Sequence, residues 1–182
     1  MNTIRKALKS DLSRIAEIEI FNYRLNFYPI FKNDEFYFGE LQVTDRIKEL
    51  EKQIESLFVY DDGVVKGFVQ VTESEIKKLF VEPVLQNHSI GSSLLLFAVN
   101  ELSADNLWAL EKNVKAIRFY ARHGFYPTDE RKKRKARANI LCICEKNNMK
   151  TGVLRLFFIE IGHLLLYHLL TAKNLIRRDM YV

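Results

Sequence analysis

Residues 3–8 read as a short opening strand, after which Leu12, Ile15 and Ile18 recur with helical spacing. That period predicts a helix over 11–23, with Ser10 or Asp11 as its cap. The period then breaks. Phe27, Tyr28, Pro29, Phe31, Phe36, Tyr37 and Phe38 crowd into a dozen positions, so 26–40 is expected to be an irregular aromatic segment. Such a segment serves either as a lid on the core or as the wall of a binding pocket. A charged helix over 43–56 follows, with Ile47, Leu50 and Ile54 turned inward. Residues 57–60 and 64–72 predict a hairpin turned by Asp61, Asp62 and Gly63. A fourth strand is expected at 76–81, a helix at 91–102 and a fifth strand at 107–111. Strands alternating with helices place the chain in the α/β class.

Composition narrows the choice. The chain has 182 residues, 48% hydrophobic and 28% charged, enough for one good core. Its two cysteines, Cys142 and Cys144, are too few for a disulfide framework. Two apart on a strand, they share a face, and no second pair completes a zinc site, so no metal is expected. Residues 1–10 are polar and mixed rather than a secretory signal, which makes the cytoplasm the expected compartment. Six basic residues fall within 131–137, and setting them aside takes the formal charge from +5 to −1. Basicity is thus confined to one run, and nucleic acid is disfavoured as a partner.

Candidate chemistry concentrates between Leu79 and Phe125. Residues 86–92 sit where a strand gives way to a helix, so backbone N–H groups converge at a helix N-terminus and suit a pyrophosphate without a charged side chain. About twenty residues on come Asn113, Ala116, Tyr120, Gly124 and Phe125. Asn113 and Tyr120 are two helical turns apart and address the same side.

Gln86, Ser89 and Gly91, followed at these separations by Asn113 and Tyr120, resemble the GCN5-related N-acetyltransferase (GNAT) family. The resemblance extends over residues 2–128 and includes Ile4, Ala7, Asp11 and Leu12. It implies a GNAT-like mixed, mostly antiparallel central sheet flanked by helices, with acetyl-CoA as co-substrate. The implied reaction moves the acetyl group to a primary amine by direct attack, with Tyr120 protonating the departing thiolate. A strand-four backbone N–H near Phe80 or Val81 would hold the developing oxyanion. By the same resemblance the cofactor-binding residues are Phe80, Val81, Gln86, Asn87, His88, Ser89, Ile90, Gly91, Ser92 and Asn113, although His88 also reads as a solvent-facing loop residue. Phe27, Tyr28 and Phe31 are the candidate acceptor-binding residues.

The sequence departs from the family pattern in three places. Ser89 replaces the first glycine of the turn, which is tolerable at negative φ and strained at positive φ. Trp108 stands where the protein-N-terminal branch of the family carries a glutamate base, and Glu73, Glu75, Glu82 and Glu111 are expected to be solvated charges. The amine acceptor is unidentified. A catalytically weak acyl-CoA-binding or regulatory protein is the alternative reading.

The third departure is the C-terminal region. An acetyltransferase domain is expected over 1–146, with 139–144 supplying the last strand, and an atypical apolar helical tail over 147–182. Residues 153–170 carry Arg155, Glu160, His163 and His168 within the apolar run. A span needs about 20 apolar residues, so membrane contact through 153–170 is disfavoured as a span, and surface attachment, packing on a partner or an exposed aggregation-prone tail are the readings that remain. A homodimer is left open. One hypothesis for the tail is a reading-frame change within the codons for 131–135. Some codon choices for 135–148, read two nucleotides later, encode Gly-Thr-Gly-Glu-Tyr-Leu-Val-His-Leu-Arg-Lys-Lys and a stop. The coding DNA tests it, and a shifted frame without that strand and stop excludes it.

Overall fold

A computed structural model describes residues 3–133 and 140–146. The expectations for 134–139, for the division at 146, and for the tail with its membrane contact and frame change lie outside the described residues. In chain order the elements are β1 (Ile4–Lys6), α1 (Leu12–Asn22), α2 (Tyr28–Phe31), α3 (Val43–Glu51), β2 (Leu57–Asp61), β3 (Val65–Thr72), β4 (Glu75–Val81), α4 (Ile90–Glu101), β5 (Asn106–Leu110), α5 (Val114–Ala121), β6 (Phe125–Lys133) and β7 (Ile140–Lys146).

Alternation along β2 buries Leu57 and Val59 on one face and leaves Phe58 and Tyr60 partly covered on the other. β3 is covered on both faces, as a strand near the middle of a sheet must be. The sheet order is β1-β2-β3-β4-β5-β7-β6. Every neighbouring pair is antiparallel except β4 and β5, which run parallel. The expected mixed, mostly antiparallel sheet is therefore present, and β7 lies between β5 and β6.

Helices cover both faces. On one, α1 and α3 bring Leu12, Ile15, Ile18 and Leu50 onto Leu57, Val59 and Phe68. On the other, α4 seats Ile90, Leu94, Leu95 and Ala98 against Val69, Val71, Val81 and Leu107. Burying each of the larger of these side chains contributes about 1.5–3 kcal/mol. Gly67 in β3 has no room for a side chain, since a Cβ there would meet the Phe80 carbonyl oxygen at 2.8 Å.

Buried charge ties the first face together. Glu19 is fully buried, with Arg46 Nε donating to it at 2.8 Å and Lys78 Nζ 2.8 Å from its Oε1. The Lys78 contact is a close ion pair without hydrogen-bond alignment. Burial pushes the Lys78 ammonium below its ordinary range, opposed by the Glu19 charge. At the sheet edge, Arg5 forks between Asp11 (2.7 Å) and Asp61 (2.6 Å), joining β1, the start of α1 and the β2–β3 turn.

Two expectations are corrected. Neither Ser10 nor Asp11 caps α1 by accepting an N–H from the helix. A 3-10 turn at Lys9–Asp11 precedes it, and the Asp11 carboxylate reaches back to the Leu8 N–H at 2.8 Å. Nor is 26–40 irregular. α1 runs into a π-helical turn at Tyr23–Phe27, then α2, then a second π-helical stretch at Glu35–Glu40. Within this segment Tyr28 stacks edge to face on Tyr37 and Phe38 at ring-centroid separations of 5.6 and 5.1 Å.

Candidate active site

β4 and β5 pair only at Glu75 with Asn106 and Ile76 with Leu107, then part company. Beyond that point lies a cavity of about 660 Å³, bounded by the end of β4, the turn into α4 and the exposed side of α5. The β3–β4 register decides which backbone groups face it. Phe68 lies opposite Phe80, Gly67 opposite Val81, and Glu82 N–H donates to Lys66 O at 2.8 Å. Antiparallel alternation therefore turns the Phe80 N–H toward β3 and the N–H groups of Leu79 and Val81 toward the gap.

The turn before α4 brings backbone donors to the same place. The first intrahelical bond at the start of α4 runs from Ser93 N–H to Ser89 O (2.9 Å), so the N–H groups of Ile90, Gly91 and Ser92 precede it without a helical partner. Ser89 has φ +62°, ψ −2°, and Asn87 has φ +68°. The substituted glycine thus falls on a left-handed backbone, the strained alternative. Gly91 is helical, and a Cβ there would make ordinary contact with Phe119 and Val81.

From the other wall, Asn113 caps α5 by accepting the Ala116 N–H at 3.2 Å. Tyr120 lines the cavity two turns on, packed edge to face on Phe119 at 5.2 Å. Of the residues singled out from sequence, Phe27, Phe80, Val81, Gln86, Asn87, Ser89, Gly91, Ser92, Asn113 and Tyr120 line one cavity. Four others do not. His88 is exposed and its Nδ1 lies 3.0 Å from its neighbour Gln86's carbonyl oxygen, and the Ile90 side chain is buried in the core. Tyr28 and Phe31 pack with Ile20, Tyr37 and Leu41 in an aromatic cluster that meets the cavity through Phe27. Tyr28 also donates to Asp34 at 2.8 Å, and that carboxylate holds the phenol above its ordinary range.

Several lining residues were missed in the sequence. Asn22 is buried and donates its amide to Ile18 O (2.8 Å) and Val81 O (2.9 Å). Its Oδ1 accepts from Asn26 (3.2 Å) and Gln86 (3.3 Å), and Gln86 Oε1 in turn accepts from Lys115 (2.9 Å). Lys115, Arg118 and Arg122 bring three cations to the wall, and no carboxylate lines it among the described residues. Their spacing of three and four along α5 was a readable helical stripe. No group of three His, Cys, Asp or Glu side chains gathers at a metal-binding distance among the described residues. No described helix is long and apolar enough to cross a membrane.

Residues 53–127 match the acetyltransferase (GNAT) domain family model. The family is GNAT. Solved structures agree at the level of the fold. The PaiA N-acetyltransferase of Thermoplasma acidophilum, solved in complex with coenzyme A, is 18% identical with a TM-score of 0.62, over 78% of this chain and 97% of its own. The ribosomal-protein-alanine N-acetyltransferase of Brucella melitensis is 18% identical with a TM-score of 0.59, over 79% and 98%. The yncA protein of Salmonella typhimurium, solved with its cofactor acetyl-CoA, is 19% identical with a TM-score of 0.55, over 82% and 96%. The matched segment spans the hairpin, the 86–92 turn, Asn113 and Tyr120 together, the residues on which the resemblance chiefly rested.

Proposed function

We propose that this chain is an acetyl-CoA-dependent N-acetyltransferase acting on a primary amine. The observation that carries the reading is the gap between β4 and β5, whose walls hold the first turn of α4, the Val81 backbone and Tyr120 around one cavity. The residues suit acetyl-CoA: three cations and the unpaired N–H groups at the start of α4 match its phosphates, and the lining carries no opposing carboxylate. Structures of similar fold solved with coenzyme A or acetyl-CoA support the same assignment.

Acetyl-CoA supplies the activated thioester. Val81 N–H stabilises negative charge developing on the carbonyl oxygen as the amine nitrogen bonds to the carbonyl carbon. Tyr120 hands its proton to the thiolate as the carbon–sulfur bond breaks, and regains one from solvent. The amine loses its proton to water, since no carboxylate lines the cavity among the described residues. Glu82 is held instead by Arg14 at 2.6 Å, and Glu111 by Arg131 at 2.7 Å.

Thermal unfolding with and without acetyl-CoA tests the reading. At a hundred times the dissociation constant a ligand specific to the folded state adds about 2.7 kcal/mol, a shift of several degrees. Amine-dependent thiol release must accompany it. The second reading, a weak acyl-CoA binder, draws on the left-handed Ser89, and stabilisation without thiol release from any amine would favour it.

A further inference from the structure

The hydrogen bonds around Asn22 determine which way three amide side chains face, those of Asn22, Asn26 and Gln86. Both acceptors of its amide, Ile18 O and Val81 O, are carbonyls, so the NH₂ group must point at them and Oδ1 must point away. Oδ1 can only accept, which obliges Asn26 to present its own NH₂ there and to turn its Oδ1 elsewhere. Asn26 lines the cavity, and its Oδ1 has no hydrogen-bond partner among the described residues. It sits on the π-helical turn Tyr23–Phe27, beside Phe27. The Phe27 ring is edge to face with Phe80 at 6.4 Å, and both rings line the same space.

We propose that Asn26 Oδ1 receives an N–H of the attacking amine, and that Asn22 is the positioning residue that aims it. Asn22 also holds the Val81 carbonyl, so one buried amide orients both the amine acceptor and the strand end whose N–H faces the gap. The chemistry of the wall names the substrate class: a monoamine carried on an aromatic or aliphatic body. Phe27, Phe80 and Leu79 accept such a body, whereas the further cations of a polyamine would find no carboxylate in the lining among the described residues. The neutral amine forms its nitrogen–carbon bond while the hydrogen bond to Asn26 holds its lone pair toward the thioester. Its proton then leaves to water, and the thiolate takes the Tyr120 proton. This inference rests on the acetyltransferase reading.

The test uses the full chain, with phenethylamine and spermidine as probe amines, and compares wild type with Asn26→Leu, an isosteric change at a half-buried position. In wild type, phenethylamine should give the higher kcat/KM. In the variant, KM for phenethylamine should rise about tenfold, the loss of one hydrogen bond to the substrate, while the upward shift of the unfolding midpoint by acetyl-CoA persists and the midpoint itself falls by no more than a few degrees, the loss of the bond to Asn22. An unchanged KM, or a preference for spermidine, overturns this inference and leaves the acetyltransferase reading standing. Absence of any acetyl-CoA stabilisation in wild type overturns that reading and the inference with it.

Discussion

His123 and Ser92 join the two helices that flank the cavity: His123 Nε2 lies 3.0 Å from Ser92 Oγ, and its Nδ1 lies 2.8 Å from Phe119 O. A carbonyl can only accept, so Nδ1 carries the proton and Nε2 accepts the Ser92 hydroxyl. The imidazole also packs on the Phe119 ring at 4.7 Å. Ser92→Ala should cost about 1 kcal/mol by leaving a partly buried acceptor unpaired, and His123→Leu about 1–3 kcal/mol because two bonds go. Urea unfolding reads both. An Ser92→Ala loss as large as that of His123→Leu would show that the Phe119 carbonyl bond contributes nothing.

Ser89→Gly should stabilise the protein. A left-handed backbone at φ +62° costs a residue with a Cβ about 1–2 kcal/mol, partly offset by the greater freedom of glycine in the unfolded chain. The net gain expected is about 0.5–1 kcal/mol, or roughly 1–4 °C in the unfolding midpoint. A lower midpoint would mean that the Ser89 side chain supplies a contact outweighing the strain.

Tyr120→Phe separates the two functional readings. It removes one hydroxyl and keeps the ring packed on Phe119 and near Phe125. Amine-dependent thiol release should fall by about a hundredfold or more while the acetyl-CoA stabilisation persists. An unchanged rate removes Tyr120 as the acid.

Acid sensitivity should follow Arg5. The Arg5 hydrogen bond holds the Asp11 carboxyl below its usual range, against the effect of burial, and the Leu8 N–H adds to it. A carboxyl with its folded pKa depressed contributes stability that is fully present above the unfolded pKa and is lost as pH falls through the folded one. Asp11→Asn should therefore cost about 1–2 kcal/mol at pH 7, a figure kept low because Arg5 is a third exposed. Below the usual aspartate value of 3.8 the gap between variant and wild type should close. Parallel stability curves across that range would contradict the assignment.

Much of the fold was legible because its signals are local. The hairpin follows from Asp61, Asp62 and Gly63, whose φ is +117°, and the structure turns there, with the Gly63 N–H donating to Asp61. The aromatic segment was not legible as helix, because three consecutive winding changes through 23–40 answer to stacking partners rather than to a 3.6-residue period. Tyr28 and Phe31 looked like pocket residues for the same reason: aromatic crowding does not say which way each ring faces.

What the sequence by itself determined was most of the elements outside 23–40 and the two short motifs, since a cap such as Asn113 to Ala116 closes within three residues and needs nothing from elsewhere. The tertiary structure alone decided where β4 and β5 separate, which N–H groups face the gap, and the relay from Val81 through Asn22 to Asn26 and Gln86. Its links to Val81 and Gln86 join positions 59 and 64 residues apart. Those distances are set by how α1 lies on the sheet, and a buried amide takes its orientation from whichever carbonyls that packing brings to it.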